Sequence, residues 1–350
     1  MNLPKPKVAL ITTGGTIAGV SYGSSFEIYT GQMVRAYRVE LSGAQVLNSF
    51  SSLEDIADIE LCDLGIIDSV NMTPLKWCEL AETIFPYLHR EDISGIVVTH
   101  GTDTMEDTAM ALSLMLRNLN KPVVLTGAML PIDQDRAHVQ RHLEDSVLVA
   151  ASGVIPEVVL CFSGDRESRF TNIYRGSTIF KYSSRGSDSF RSTIEHLAMV
   201  RDGKINVSEN YAIRYAGELP ELVSGFNSHV GLITLMPCDE YVLSNYNSSV
   251  LEGMVLDAQV GVGINPVRYE FVKKYLDRGV PVAIRTSIES NLTLAATLRD
   301  EELEKRGAIA LGYLSARKAM VKMRWVLAQT AGDIRKTKEM MRYDFAGEVL

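Results

Sequence analysis

The chain has 350 residues, 43 acidic side chains against 35 basic ones, a formal net charge of −8 and 46% hydrophobic residues. That balance offers no basic footprint for nucleic acid or an anionic membrane surface and points to a small-molecule substrate. The length exceeds what one core normally organises, so a larger and a smaller domain are expected, and no uncharged apolar run reaches the ~18 residues that a bilayer crossing needs.

Residues 1–13 are too short, and too soon interrupted by Gly14 and Gly15, to read as a secretory signal, so the protein is expected to stay in the cytosol. Residues 7–13, KVALITT, have the composition of a buried strand and end in Gly14-Gly15-Thr16. Glycines there let the backbone approach a ligand closely and leave amides free to point at it. A phosphate loop is the competing explanation, but neither GxxxxGK[ST] nor GxGxxG spacing is met. Residues 20–37 read as a polar, glycine- and serine-studded loop without a sustained period, and loops of that length inside compact enzymes are usually lids.

A short helix at 44–50 and a strand at 59–67 follow, then an amphipathic helix at 73–87 with Pro74 in its first turn. The β-branched run 95–99 is a strand; Gly101 breaks it, and Thr102, Asp103 and Thr104 precede helical apolar spacing over 105–116. Thr102 and Asp103 thus stand at the carboxyl end of a strand, where open α/β sheets bind ligands. Asp103 followed three residues later by Glu106 equally resembles a capping box, in which the carboxylate only satisfies helix amides. Strand 122–127, helix 137–151 and strand 157–162 continue the alternation, which predicts a doubly wound, mainly parallel sheet.

Residues 163–192, rich in Arg, Ser and Gly, are expected to fold over or beside the site. The mixed stretch 201–227, broken at Leu219-Pro220, is the expected junction between an N-terminal catalytic α/β domain, 1–212, and a smaller C-terminal α/β domain, 213–350. The latter alternates strands at 230–236, 254–257 and 280–284 with helices from Glu240 and Pro266, and closes with helices at 316–329 and 333–343. Cys62, Cys78, Cys161 and Cys238 are widely spaced and read as reduced, buried thiols. One histidine pair, His138 and His142, has helical spacing but lacks the Glu of HExxH, so neither a metal nor another cofactor is expected.

TTGGTIAG at 12–19, DSVNMTP at 68–74 and THGTDTMEDTA at 99–109 resemble the L-asparaginase family. The likeness continues through KPVVLTGAMLP at 121–131 and IYRGSTIFKYSSRGSDSF at 173–190, then more faintly through GVGINP at 261–266 and LSARKAM near the C-terminus. The wording DSVNMTPLKW, the run ALSLMLRNLNKPVVLTG and the YRG that sets the register of Lys181 resemble the cytoplasmic type I branch.

The resemblance implies hydrolysis of the side-chain amide of asparagine through a threonine acyl-enzyme, and leaves open the preference between asparagine, glutamine and another amide. It implies that Thr16 is the nucleophile, that Ser69 holds the α-carboxylate with Gly15 beside it, and that Thr102, Asp103 and Lys181 form the second threonine, its acidic partner and its lysine. Tyr29 matches the tyrosine that assists the first threonine, whereas the cytoplasmic-type count puts Phe26 there, and Tyr22 is available in the same segment. The family pairs its subunits into homodimers or homotetramers, and Asn265 lies in the segment expected to reach a neighbouring site. Two departures stand out: Asn71 replaces an acid, and His138, Val139 and His142 replace an Asp-Gly pair and an Asn. The rival readings are an ammonia-generating amidotransferase subunit and a non-catalytic amino-acid sensor. The transfer-RNA-linked branch carries an extra domain before its TGGT motif, and here twelve residues precede Thr13.

Overall fold

The computed structural model describes residues 4–27, 32–214, 217–236, 239–247, 249–258, 265–285, 298–311 and 314–349, with the side chains of 25–35, 240, 245 and 298–300 left out. The chain forms two compact units, Met1–Val223 and Ser224–Leu350.

The first unit opens with β1 (Lys7–Thr12), β2 (Gly19–Glu27), β3 (Gln32–Val39), α1 (Gly43–Asn48), α2 (Leu53–Ile56), β4 (Asp58–Asp63), α3 (Pro74–His89) and β5 (Ile93–Thr99). It continues with α4 (Met105–Met115), β6 (Leu116–Arg117), β7 (Val123–Thr126), α5 (Arg136–Ser152), β8 (Val158–Ser163) and β9 (Thr171–Arg175). It ends with β10 (Ile179–Lys181), β11 (Phe190–Ser192), β12 (Ala198–Arg201), β13 (Lys204–Val207) and β14 (Glu221–Leu222). Pairing of β14 with β6, Leu222 against Leu116, ties the end of this unit to its own core.

Eight strands form one sheet in the order β13-β12-β9-β8-β7-β5-β1-β4. β4, β1, β5, β7 and β8 run parallel, and β9, β12 and β13 extend the edge in antiparallel fashion. The doubly wound expectation holds. Val8, Leu10, Val97, Val124 and Val159 join one core with Val46, Leu53, Val139, Leu143 and Val147 of α1, α2 and α5. Their alternating neighbours Ala9, Ile11, Ile96, Val98 and Leu160 are equally buried and face the other side by the two-residue strand period, where α3 lies against β5 and α4 against β8. Burial on both faces is why these strands read as continuous apolar runs. Helix ends follow their caps: Thr73 accepts the Lys76 amide at the start of α3, Asp135 accepts that of His138 at the start of α5, and Gly153 ends α5 at φ 69°.

Residues 20–27 and 32–37 differ from the loop expected. β2 and β3 pair in antiparallel fashion, Gly19 opposite Val39, with an irregularity between Ser21 and Gly23. Glycine, serine and that extra residue hide the two-residue alternation in the sequence. The polar 163–192 segment likewise carries β9 and the β10–β11 hairpin.

The second unit comprises β15 (Val230–Thr234), α6 (Glu240–Asn245), β16 (Gly253–Asp257), α7 (Pro266–Leu276), β17 (Val282–Arg285), α8 (Leu298–Lys305), β18 (Ile309–Ala310), α9 (Ala316–Thr330) and α10 (Ile334–Arg342). Its four strands are parallel in sequence order. Met254, Leu256, Val282 and Ile284 pack with Phe271, Val272 and Tyr275 of α7 on one face, and α9 lies against β15, β16 and β17. Among the described residues no helix is long and apolar enough to cross a membrane. Cys161 is buried, Cys62 and Cys78 are half-buried, and all three are free thiols; Cys238 lies outside the described residues.

Candidate active site

The chain passes from β1 to β4 on one side and then returns to β5 on the other side of β1, so the strand order reverses between β1 and β5. Ligands of open α/β sheets bind at such a reversal, outside the carboxyl ends of the strands. Both threonine motifs emerge there. Thr13 staples the two ends: its Oγ1 donates to the Thr99 carbonyl at 2.8 Å, and its amide donates to the same oxygen at 3.3 Å.

Beyond Thr13, Gly14 and Gly15 adopt φ of 88° and 82°, a backbone region that side chains rarely enter. A Cβ on Gly15 would lie 2.6 Å from the Gly101 nitrogen, and one on Gly101 would lie 2.6 Å from Ser69 Oγ. Only glycine lets the Gly15 backbone meet the Gly101 backbone and the Gly101 backbone meet the Ser69 side chain this closely, and these contacts bring the Thr16, Ser69 and Thr102 turns together. Thr16, Ser69 and Thr102 are 8%, 4% and 7% exposed, which makes the two threonine hydroxyls nearly enclosed groups. Thr16 starts a short 3-10 turn, and its Oγ1 lies 3.0 Å from Tyr37 Oη of β3.

Thr104 is the residue that flanks α4, and Asp103 does not cap it. Thr104 Oγ1 donates to the Ser69 carbonyl at 2.7 Å, fixing the Ser69 turn to the start of α4. The Asp103 carboxylate instead receives Lys181 Nζ at 2.7 Å, and the same ammonium donates to Thr102 Oγ1 at 2.8 Å. This settles the open reading of Asp103 against the capping box. Lys181 is the last residue of β10, and its backbone N–H donates to the buried Glu106 carboxylate at 2.6 Å. Because Lys181 Nζ donates to the Thr102 oxygen, that hydroxyl's own proton is free for another acceptor.

His100, which no sequence argument singled out, sits behind the Thr102 turn and is 1% exposed. Trp77 Nε1 donates to Thr108 Oγ1 at 3.0 Å, Thr108 Oγ1 lies 3.0 Å from His100 Nε2, and His100 Nδ1 lies 2.7 Å from the Gly101 carbonyl. The Gly101 carbonyl only accepts, so the ring proton sits on Nδ1, and the Thr108 hydroxyl, which receives the indole N–H, gives its own proton to Nε2. Burial pushes the His100 pKa down to about 4, against the opposing pull of the Gly101 carbonyl and Asp107. The neutral ring is a fixed strut. Its signal in the sequence was adjacency to the motif, which does not distinguish a strut from a spacer.

Among the residues predicted for the site, Gly15, Thr16, Ser69, Thr102, Asp103 and Lys181 come together in the first unit. Tyr29 lies outside the described residues, as does the side chain of Phe26. Tyr22 is 64% exposed and carries the Arg38 guanidinium 5.6 Å from its ring centre. Asn265 belongs to the second unit, where it caps α7 by accepting the Arg268 amide at 2.9 Å. Among the described residues no three His, Cys, Asp or Glu side chains converge as a metal-binding group. Two hydroxyls, one ammonium and one carboxylate at a glycine-lined strand junction have the makeup of an acyl-transfer site.

The family model described as "Asparaginase, N-terminal" matches residues 7–212. A glutamyl-tRNA(Gln) amidotransferase subunit of Methanobrevibacter smithii is 31% identical over 360 residues, a match that covers 98% of this chain and 77% of that protein. Two solved structures resemble the chain throughout. The thermostable L-asparaginase from Thermococcus kodakarensis is 27% identical with a TM-score of 0.78, covering 98% of this chain and 99% of that one. L-asparaginase I from Vibrio cholerae is 25% identical with a TM-score of 0.81, covering 99% of both chains.

Proposed function

The chain belongs to the asparaginase family, and from that premise we propose that it hydrolyses the side-chain amide of L-asparagine to L-aspartate and ammonia through a threonine acyl-enzyme. The observation that carries this reading is Lys181 Nζ held between Thr102 Oγ1 and Asp103 at 2.8 and 2.7 Å, at the same strand junction as the Thr16 hydroxyl. Ser69 and Asp103 hold the substrate's α-carboxylate and α-amine, and the amide carbon faces Thr16. The Thr16 oxygen bonds to that carbon, its proton passes through Tyr37 or through the Thr102–Lys181 pair to the departing nitrogen, and the C–N bond breaks to release ammonia. Water then cleaves the ester: its oxygen bonds to the acyl carbon, and one of its protons goes to Thr16 as the Thr16 oxygen leaves. Amides of the glycine turns receive the oxyanion, each donor being worth about 3 kcal/mol.

The type I likeness, a cytoplasmic location, assembly as a homodimer or homotetramer and participation of Asn265 belong to the same proposal. A second reading has one observation in its favour: the M. smithii relative is a subunit of an amidotransferase that acts on a transfer RNA-linked substrate by name. In that reading the chain supplies ammonia to a partner.

Ammonia release from asparagine and glutamine by wild type, Thr16→Ala and Thr102→Ala decides the matter. Each alanine variant is expected to lose roughly 10³-fold or more in kcat. Equal rates in all three remove the proposal, tight aspartate binding without turnover favours a sensor, and activity that requires a co-purifying subunit favours the second reading.

A further inference from the structure

α5 places His138 and His142 one turn apart on the same face, with ring centres 4.0 Å apart. They are 3% and 0% exposed. His142 is gripped at both ring nitrogens. Its Nε2 accepts the backbone N–H of Ser163 at 3.0 Å, so that nitrogen carries no proton. The proton of the neutral ring is therefore on Nδ1, which donates to the Gly127 carbonyl at 2.7 Å. Burial, with His138 alongside, also holds the His142 pKa well below its ordinary value. Ser163 Oγ lies 2.8 Å from Nε2 and 3.0 Å from Ser168 Oγ, which in turn lies 3.0 Å from His138 Nδ1.

Ser163 is the last residue of β8, and Gly127 directly follows β7. His142 thus bridges the carboxyl ends of β7 and β8, of which β7 is the neighbour of β5. Gly127 then passes the position on: a Cβ there would lie 2.4 Å from the His100 carbonyl oxygen, and the His100 amide donates to the Thr126 carbonyl at 2.9 Å. His100 leads directly into Gly101, Thr102 and Asp103.

We infer that His142 is a positioning residue for the Thr102 turn: its Nδ1–H fixes the Gly127 carbonyl, and the Gly127 backbone seats His100 and Gly101 so that Thr102 and Asp103 meet Lys181. The inference rests on the proposed role of Thr102 and Lys181. Two replacements separate the ring's two bonds. His142→Asn keeps a donor where Nδ1 stands, whereas His142→Gln keeps an acceptor near the place of Nε2 and loses the donor to Gly127.

His142→Gln is expected to lower kcat about tenfold with KM within about threefold, and His142→Asn to stay within about threefold in both. Selective ¹⁵N-glycine and ¹⁵N-threonine labelling gives a second readout that needs no turnover: the Gly101 and Thr102 amide resonances should move in His142→Gln and stay in place in His142→Asn. Equal losses in the two variants that track their Tm, or unmoved Gly101 and Thr102 resonances in His142→Gln, overturn the inference. If wild type hydrolyses no amide, the proposed function falls, and the resonance comparison still decides the clamp. If His142→Gln does not fold, Gly127→Ala strains the same contact, and unchanged Gly101 and Thr102 resonances there overturn the inference as well.

Discussion

The Tyr37 hydroxyl lies 3.0 Å from Thr16 Oγ1, although 21 residues separate them in the chain. What places it there is strand register. β2 and β3 pair with Ser21 opposite Tyr37 and Gly23 opposite Ala36, leaving Tyr22 as the extra residue. A slip of one residue turns every side chain to the opposite face, so the bulge decides which tyrosine meets Thr16. The family resemblance points to Tyr29, with Phe26 in the cytoplasmic-type count, and both lie outside what the described side chains cover. Replacement of Tyr37 by Phe is expected to lower kcat roughly 10²-fold with little change in KM, as for a proton relay used in the transition state. Steady-state kinetics of Tyr37→Phe beside Tyr29→Phe checks this, and a larger loss in Tyr29→Phe reassigns the role to Tyr29.

At the scale of elements, the β10–β11 hairpin delivers Lys181 to a turn 78 residues earlier in the chain. Its anchor is Glu106 in the first turn of α4, 5% exposed, whose carboxylate holds the Lys181 backbone N–H at 2.6 Å. A buried carboxyl oxygen bonded to a backbone amide fixes direction as well as distance. Glu106→Ala should therefore cost about 1–3 kcal/mol of stability and about tenfold in kcat, while Glu106→Gln, which retains an acceptor, should lose less of both. Thermal melts and kcat measured on the pair test it; equal kcat for wild type and Glu106→Ala dismisses the anchor.

Over the whole molecule, several buried titratable groups make stability depend on pH. His100, His138 and His142 have pKa values depressed first of all by burial, His100 to about 4 from an ordinary 6.5. The unfolded chain binds these protons more tightly, so the stability present above pH 6.5 is lost as pH falls through the folded values. Asp145 acts in the opposite sense: burial raises its pKa from 3.8 to about 6, so the folded state gains as pH falls across that interval. Three such histidines against one carboxyl predict a lower Tm at pH 5 than at pH 7, with calorimetry as the check and an equal or higher Tm at pH 5 as the refuting result. The proposed assembly predicts a dimer or tetramer mass by light scattering, and a fully active monomer removes that part of the proposal.

The order of strands and helices and the two glycine-turn threonine motifs were legible in the sequence because local composition encodes them, whereas the grouping of Thr102 and Asp103 with Lys181 was implied only by the family resemblance. Apolar β-branched runs mark strands buried on both faces, and a glycine that breaks such a run marks a turn whichever way the chain goes next. The pairing of β2 with β3, the turn of Tyr37 onto Thr16, the release of Asp103 from helix capping to Lys181, and the His100 and His142 struts were decided only by tertiary structure. Each of these depends on which groups meet across a register, a strand order or a buried hydrogen bond. A polar side chain has several satisfactory partners within its own stretch of chain, and only packing that removes water from all but one of them selects the partner it keeps.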